Sequence, residues 1–281
     1  MPHHFKGREA VVATMHGKEK AIAPILYERT GLHCKVIKGF NTDNYGTFTG
    51  QVARKENALE VCRQKCKDAM LLTSADIGIA SEGSFFPHPE VPFLTINEEW
   101  LVLIDHKNGW EISVRNVSSE NNLNGKWISN EVELLEFAKQ CQFPSHGLIV
   151  RKGQHDYTDE LKGIHDEQML TTHFHKLHIL YQGAYVETDM RAMHNPTRMK
   201  NIGQAAVLLA EKMNSCCPQC NSPGFGVTEV VRGLPCAQCG SPTRSILSHI
   251  LTCSYCQYQM EKKYPNGILR EDPMYCDWCN P

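Results

Sequence analysis

Apolar residues in the first 214 positions come in short runs and helical stripes separated by polar loops, a pattern of strands with helices between them. Residues 9–14, Glu-Ala-Val-Val-Ala-Thr, read as a buried strand. A helical stretch then runs to about residue 30 and carries Pro24, which suits a first turn better than an interior. Either the helix starts near Ala23 and residues 15–22 are loop, or it starts earlier and kinks. A second strand at 34–40 leads into a polar loop at 41–50. Between residues 51 and 70, Val52, Leu59, Cys62, Cys66 and Met70 recur on one helical face, with Cys62 and Cys66 as packing residues. Arg54, Lys55, Arg63, Lys65 and Lys67 read as the solvated face. Residues 73–80 form the next strand and 81–89 a loop.

Two strands at 93–104 and 110–117, joined by Asp105-His106-Lys107-Asn108-Gly109, read as an antiparallel hairpin. A helix at 130–140 turns Leu134, Leu135, Phe137 and Ala138 inward, and 147–150 is a short strand. Asn195-Pro196 starts a helix with a mechanism: the asparagine accepts from free backbone donors, and proline at the first position loses no needed N–H. Its stripe is Ile202, Ala205, Ala206, Leu209 and Met213, and it ends near residue 214. Strands separated by helices, with a hairpin inserted, predict a mixed-sheet α/β domain over residues 1–214. No apolar run approaches the ~20 residues of a membrane span.

Cysteine changes the picture for the remainder, residues 215–281. Nine of the 13 cysteines lie from Cys216 onward, and eight form four Cys-x-x-Cys pairs: Cys217/Cys220, Cys236/Cys239, Cys253/Cys256 and Cys276/Cys279. Each pair can aim two sulfurs at one ion across a tight turn, and two pairs complete a tetrahedral thiolate shell. The expected module is a double zinc ribbon with two structural zinc ions. Residues 224–231 and 255–264, the latter running into Pro265-Asn266-Gly267, read as hairpin strands. They favour pairing the first set with the second and the third with the fourth; an interleaved arrangement, first with third and second with fourth, is the other solution. Disulfides and an iron–sulfur cluster are the competing chemistries. The amino-terminal residues contain no apolar signal-peptide core, so a reducing, cytoplasmic setting and thiolate–zinc binding are expected. Cys216 reads as a spare. A four-thiolate site has no open position and is structural, its binding energy standing in for a core that sixty-odd residues could scarcely build.

Charge narrows little. A formal net charge of −2 and a pI near 6.7 give no general attraction to nucleic acid or membrane. Candidate chemistry therefore rests on local groups. Glu82, beside glycine and serine at the end of a buried strand, stands where α/β sheets place ligands, and Asp76 is a second carboxylate for Mg²⁺. Lys18 and Lys20 follow the first strand. Asp189, Arg191, Asn195 and Arg198 cluster at a helix start, where free N–H groups and the dipole favour an anion. An Asp189–Arg pair fixing the approach to that helix is the plainer alternative. His173, His175 and His178 lack a carboxylate or cysteine at ligand spacing that would complete a metal set.

At Ala80-Ser81-Glu82-Gly83-Ser84-Phe85, Thr188-Asp189-Met190-Arg191-Ala192, Asn195-Pro196-Thr197-Arg198 and Tyr275-Cys276-Asp277-Trp278-Cys279-Asn280-Pro281, the chain resembles a bacterial family catalogued as a domain of unknown function with a cysteine-rich C-terminal part. The run Thr14-Met15-His16-Gly17-Lys18-Glu19-Lys20 is also similar to the Ser/Thr-x-Asn-Pro-x-Lys loop of the inosine/xanthosine triphosphate pyrophosphatases. Histidine stands for the asparagine, glycine for the proline, and the lysine is shifted by one. That second resemblance implies a triphosphate-binding loop and strand-end acids for Mg²⁺, with Asp76 and Glu82 similar in placement. The enzyme reading is a metal-assisted hydrolase acting on a nucleotide or other phosphorylated small molecule. The alternative is a zinc-ribbon module that binds nucleic acid or protein, with a ligand-sensing α/β domain. It would use Arg232, Arg244, Lys262, Lys263 and Arg270 with Tyr255, Tyr258, Tyr264 and Trp278.

Overall fold

In a computed structural model of the chain, residues 4–37, 39, 40, 45, 57–89 and 91–281 are described. Most of the expected 41–50 loop, and the predicted helical residues Val52, Arg54 and Lys55, lie outside them. The first sheet is built from β1 (Glu9–Ala13), β2 (His33–Val36), β3 (Ile77–Pro87), β4 (Thr95–Asp105) and β5 (Trp110–Ser118), in the order β2-β1-β3-β4-β5. The β1–β2 and β1–β3 pairs are parallel, whereas β3–β4 and β4–β5 are antiparallel, so the sheet is mixed. Helix α1 (Glu19–Thr30) and the long helix α5 (Pro196–Asn214) pack on one face against Ala10, Val12, Ile77, Ile79, Leu101, Leu103 and Ile112. Helix α2 (Ala58–Thr73) covers the other face against Val11, Ala13, Ala80 and Val102, with Cys62 and Cys66 fully buried in that contact.

β2 ends at Val36, short of the expected residue 40, the strand expected at 255–264 spans only Gln259–Lys263, and three further elements differ in ways that bear on the site. Helix α1 takes the earlier of the two starts and carries Pro24 inside. Helix α2 continues to Thr73, where Ser74 closes it in the left-handed conformation and donates its backbone N–H to the carbonyl of Met70. Strand β3 then runs through residues 81–87, which had read as loop. Its partner β4 matches it from Ile77↔Asp105 to Pro87↔Thr95, so the ladder carries the Ser-Glu-Gly-Ser run that has little strand propensity of its own. Glu82 thus lies mid-strand, opposite Trp100.

A second, antiparallel sheet holds β6 (Gly125–Ile128), β7 (Leu148–Arg151), β8 (Leu161–Ile164) and β9 (Ala184–Thr188) in the order β6-β9-β7-β8. Helices α3 (Glu131–Gln140) and α4 (Glu167–Tyr181) cover it through Leu134, Phe137, Leu170, Phe174 and Leu177. Residues 173–178, with the three histidines, therefore lie on α4. Asp166 caps it by accepting from the backbone N–H of Met169, His173 bonds the carbonyl of Asp159, and His175 pairs with Glu131. No metal set forms there.

The third sheet, β10 (Gly226–Arg232), β11 (Ile246–Thr252) and β12 (Gln259–Lys263), is an antiparallel meander. Residues 215–225 connect it to α5 and return onto the helix end: Gly224 and Phe225 donate backbone N–H groups to the carbonyls of Lys212 and Ser215, and Lys212 reaches Ser113. Gly224 has φ +92°, and a Cβ there would meet Ile112 of β5 at 3.2 Å, so this close approach requires glycine. Among the described residues, no helix is long and apolar enough to cross a membrane.

Candidate functional site

The order β2-β1-β3 makes the carboxyl end of β1, beside the middle of β3, a topological switch point: the chain leaves β1 through α1 on one face and reaches β3 through α2 on the other. Crevices at such points are where open α/β sheets bind ligands. Five charged side chains converge there, and all are buried: Lys18, Lys65, Glu82, Glu99 and Arg198.

Strand alternation sorts them by face. Glu82 shares the face of Gly78 and Ala80 and meets α2, where Lys65 Nζ lies 2.6 Å from its Oε2. Glu99 shares the face of Leu101 and Leu103 and meets α5, where Arg198 Nε donates to Oε1 at 2.8 Å. Arg198 Nη1 also donates to the carbonyl of Met190 at 2.6 Å, and Asn97 donates to Glu99 Oε1. The pair lies flat on Gly83: a Cβ there would fall 2.5 Å from both Arg198 Nη2 and Glu99 Oε1. Lys18 follows β1, its Nζ donating to the carbonyl of Ser81 at 3.2 Å.

Three cations, Lys18, Lys65 and Arg198, thus lie buried with two carboxylates, Glu82 and Glu99. Glu99 Oε2 is buried without a donor. Burial first, and then the neighbouring Arg198 charge, lower the Lys18 pKa from the ordinary 10.5 to about 8. Lys18 is itself the N-cap position of α1, and among the described residues that helix start has no side-chain cap.

Of the residues singled out from the sequence, the structure brings together Lys18, Glu82 and Arg198. Asp189, Arg191 and Asn195 stand behind Arg198. Asp189 receives Arg191 Nε at 3.0 Å and Nη2 at 2.5 Å, and also accepts from the backbone N–H of Gly163. Asn195 accepts from the backbone N–H of Arg198 and donates to Asn122 at 2.8 Å. The start of α5 is therefore capped by its own chain, which is the plainer of the two readings. Lys20 is exposed on α1. Asp76 is not with Glu82: it is exposed just before β3, six residues and roughly 20 Å of strand away at the amino edge. There it lines a cleft with Arg8, Lys35 and Lys107.

Lys65 and Glu99 are the members that pattern reading passed over. Lys65 had been placed on the solvated face of its helix, yet it lies four residues from both Val61 and Ala69, which are buried, and it is itself buried. Glu99 keeps the parity of Leu101 and Leu103. A charge in phase with an apolar stripe was the available signal.

The cysteines form two separate tetrads, and the pairing is interleaved. Cys217 and Cys220 meet Cys253 and Cys256; Cys236 and Cys239 meet Cys276 and Cys279. The sequential solution is overturned by the meander. β11, which the hairpin reading had not placed, lies between the second and third pairs. Antiparallel strands return the chain to alternate ends, so the first and third pairs fall at one end and the second and fourth at the other. Sulfur separations are 3.7 and 3.6 Å in the first site and 3.8 and 3.6 Å in the second. Tetrahedral Zn–S bonds of about 2.3 Å put thiolates about 3.8 Å apart, and a disulfide would need about 2.05 Å. The donor set and its spacing fit zinc. Ser222 beside Cys220, and Ser241 beside Cys239, lower those two thiols to about 6. Among the described residues these tetrads are the only groups of three or more ligand-type atoms close enough for one metal ion.

The chain belongs to the family described as a domain of unknown function (DUF6671), whose family model matches residues 65–281. The matched span contains Lys65, Glu82, Glu99, Arg198 and all eight paired cysteines, while Lys18 precedes it. A search of curated proteins returned no match.

Proposed function

We propose that this member of the family binds a phosphorylated small molecule, a nucleotide in the simplest case, in the crevice at the carboxyl end of β1, beside the middle of β3, and hydrolyses it there. The observation that carries the reading is the cluster of buried charge at a topological switch point: Lys18, Lys65 and Arg198 together with Glu82 and Glu99. Lys18 makes a single hydrogen bond among the described residues, to the carbonyl of Ser81, and an anionic ligand would stabilise its buried charge. The start of α1, at Lys18, has no side-chain cap among the described residues, and helix starts favour anions.

In this reading Lys18 and Arg198 hold phosphate oxygens, and Glu82, released from Lys65 as the latter turns to the phosphate, is the base. Water adds to phosphorus and gives its proton to the Glu82 carboxylate. The P–O bond to the leaving group breaks, and the leaving oxygen takes the electron pair and is neutralised by the neighbouring cations. Glu82 and Glu99 are each already paired with a cation, so Mg²⁺ would arrive with the phosphates rather than occupy a prebuilt site. The zinc sites are scaffold.

The test is a thermal-shift screen of the zinc-loaded chain against nucleoside mono-, di- and triphosphates with and without Mg²⁺, followed by phosphate release on each hit. A selective rise in Tm with turnover that Glu82→Gln abolishes, while its shift by ligand persists, supports the reading. No shift with any phosphorylated ligand, or full turnover by Glu82→Gln, overturns it.

A further inference from the structure

The terminal cysteine site carries a surface that the hydrolase reading does not use. Residues 268–278 run around the second tetrad and expose five large apolar side chains: Ile268, Leu269, Met274, Tyr275 and Trp278, the last 79% accessible. They are held in place by backbone. Glu271 donates its N–H to the carbonyl of Pro235 and accepts from Ala237, tying this segment to the knuckle of Cys236 and Cys239. A turn at Pro273–Tyr275 is capped by Asp272, and Asn280 Nδ2 donates to the carbonyl of Met274 at 2.9 Å. Apolar exposure of this kind on a rigid knuckle marks a contact surface.

Charge decides what the surface fits. Residues 216–281 contain five Lys/Arg and five Asp/Glu, so their side chains cancel. Each Zn²⁺ held by four thiolates leaves a formal −2, which makes the loaded module acidic by about four charges. The segment at the second site carries Glu271 and Asp272 against Arg270, with Asp277 paired to Arg244. The basic residues are dispersed or engaged: Arg244 pairs with Asp277 at 3.2 Å, and Arg232 donates to the carbonyl of Arg244. A phosphate backbone is repelled by this balance. A Lys/Arg-rich partner is attracted, and the open faces of Trp278 and Tyr275 receive cations.

We infer that the second zinc knuckle is a docking surface for a basic, amphipathic segment of a partner protein, with Trp278 and Leu269 as its apolar anchors. The inference is independent of the chemistry at β1 and β3.

The probe is a labelled Leu/Lys peptide titrated by fluorescence anisotropy against the zinc-loaded full chain. The same sequence with Glu for Lys and a single-stranded oligonucleotide serve as competitors of other chemistry. Saturable binding of the Leu/Lys peptide is expected, weakened by salt and reduced roughly tenfold or more by Trp278→Ala and by Leu269→Ser. Zinc content identical to the parent shows that either variant retains the knuckle, and one folded variant suffices. Failure to bind the basic peptide, affinity unchanged in a folded variant, or preference for the oligonucleotide would overturn it.

Discussion

Lys18 is where burial and charge compete most openly. Its amine is buried with a single hydrogen bond among the described residues, to the carbonyl of Ser81, and its pKa falls from 10.5 to about 8. The unfolded chain keeps that proton up to about pH 10.5, whereas the folded chain releases it above about pH 8. Folding therefore works against the Lys18 charge below pH 8, and the penalty fades as pH rises from 8 to 10.5. Lys18→Met should stabilise the ligand-free protein by on the order of 1–3 kcal/mol at neutral pH. That gain should shrink as urea unfolding is repeated toward pH 10, inside the window set by the two pKa values. The same variant should lose the stabilisation that phosphorylated ligands confer on the parent. A variant less stable than the parent at neutral pH would show that Lys18 is not the strained member of the cluster. Stability given up at a buried charge is a usual signature of a functional position.

At the scale of elements, α5 links the two regions of interest, with Arg198 in its first turn and its last turn leading into the cysteine module. Its stripe of Ile202, Ala205, Ala206, Leu209 and Met213 and its Asn-Pro start were readable because helix capping and periodicity are local. What was not local is the double use of Asn195, which caps Arg198 N–H and reaches 73 residues back to Asn122. Asn195→Ala should cost about 1–2 kcal/mol in thermal or urea unfolding. Asn195→Ser keeps the acceptor but loses the reach to Asn122, so an intermediate loss is expected; a variant pair with equal loss would place the whole effect on Asn122. The β3–β4 ladder shows the opposite case. Residues 81–87 have turn-like composition and are strand because β4 supplies a partner of equal length.

Over the whole molecule, the interleaved cysteine sites brace the meander at both ends, and the arrangement makes a stoichiometric prediction. Cys217→Ser combined with Cys253→Ser removes ligands from one site and should leave one zinc per chain, measured by elemental analysis of purified protein. Cys217→Ser combined with Cys236→Ser damages both sites and should leave none. The reverse result would restore sequential pairing. Loss of the first site should also lower the melting temperature of the α/β part, because residues 221–225 touch it directly: the Asn221 carbonyl bonds the imidazole of His4, and Gly224 packs on Ile112.

Sequence by itself determined the mixed α/β class, the position of most helices and strands, the eight cysteines that form the two candidate metal sites and three members of the charge cluster, Lys18, Glu82 and Arg198. Each of these follows from chemistry within a few residues: periodicity, a cap, a two-residue spacing between thiols, a charge at a strand or helix end. Only the tertiary structure decided which pairs of cysteines share an ion, that Lys65 and Glu99 complete the cluster, and that Asp76 stands at the wrong edge of the sheet. Those depend on strand order and direction. In a sheet ordered β2-β1-β3-β4-β5, Glu82 of β3 lies beside residues of β4 and below α2, while Asp76, six positions earlier in the same strand run, points to the opposite rim. Side-chain type is written locally, but which charges neutralise one another is set by partners up to a hundred residues apart, as Glu99 and Arg198 are.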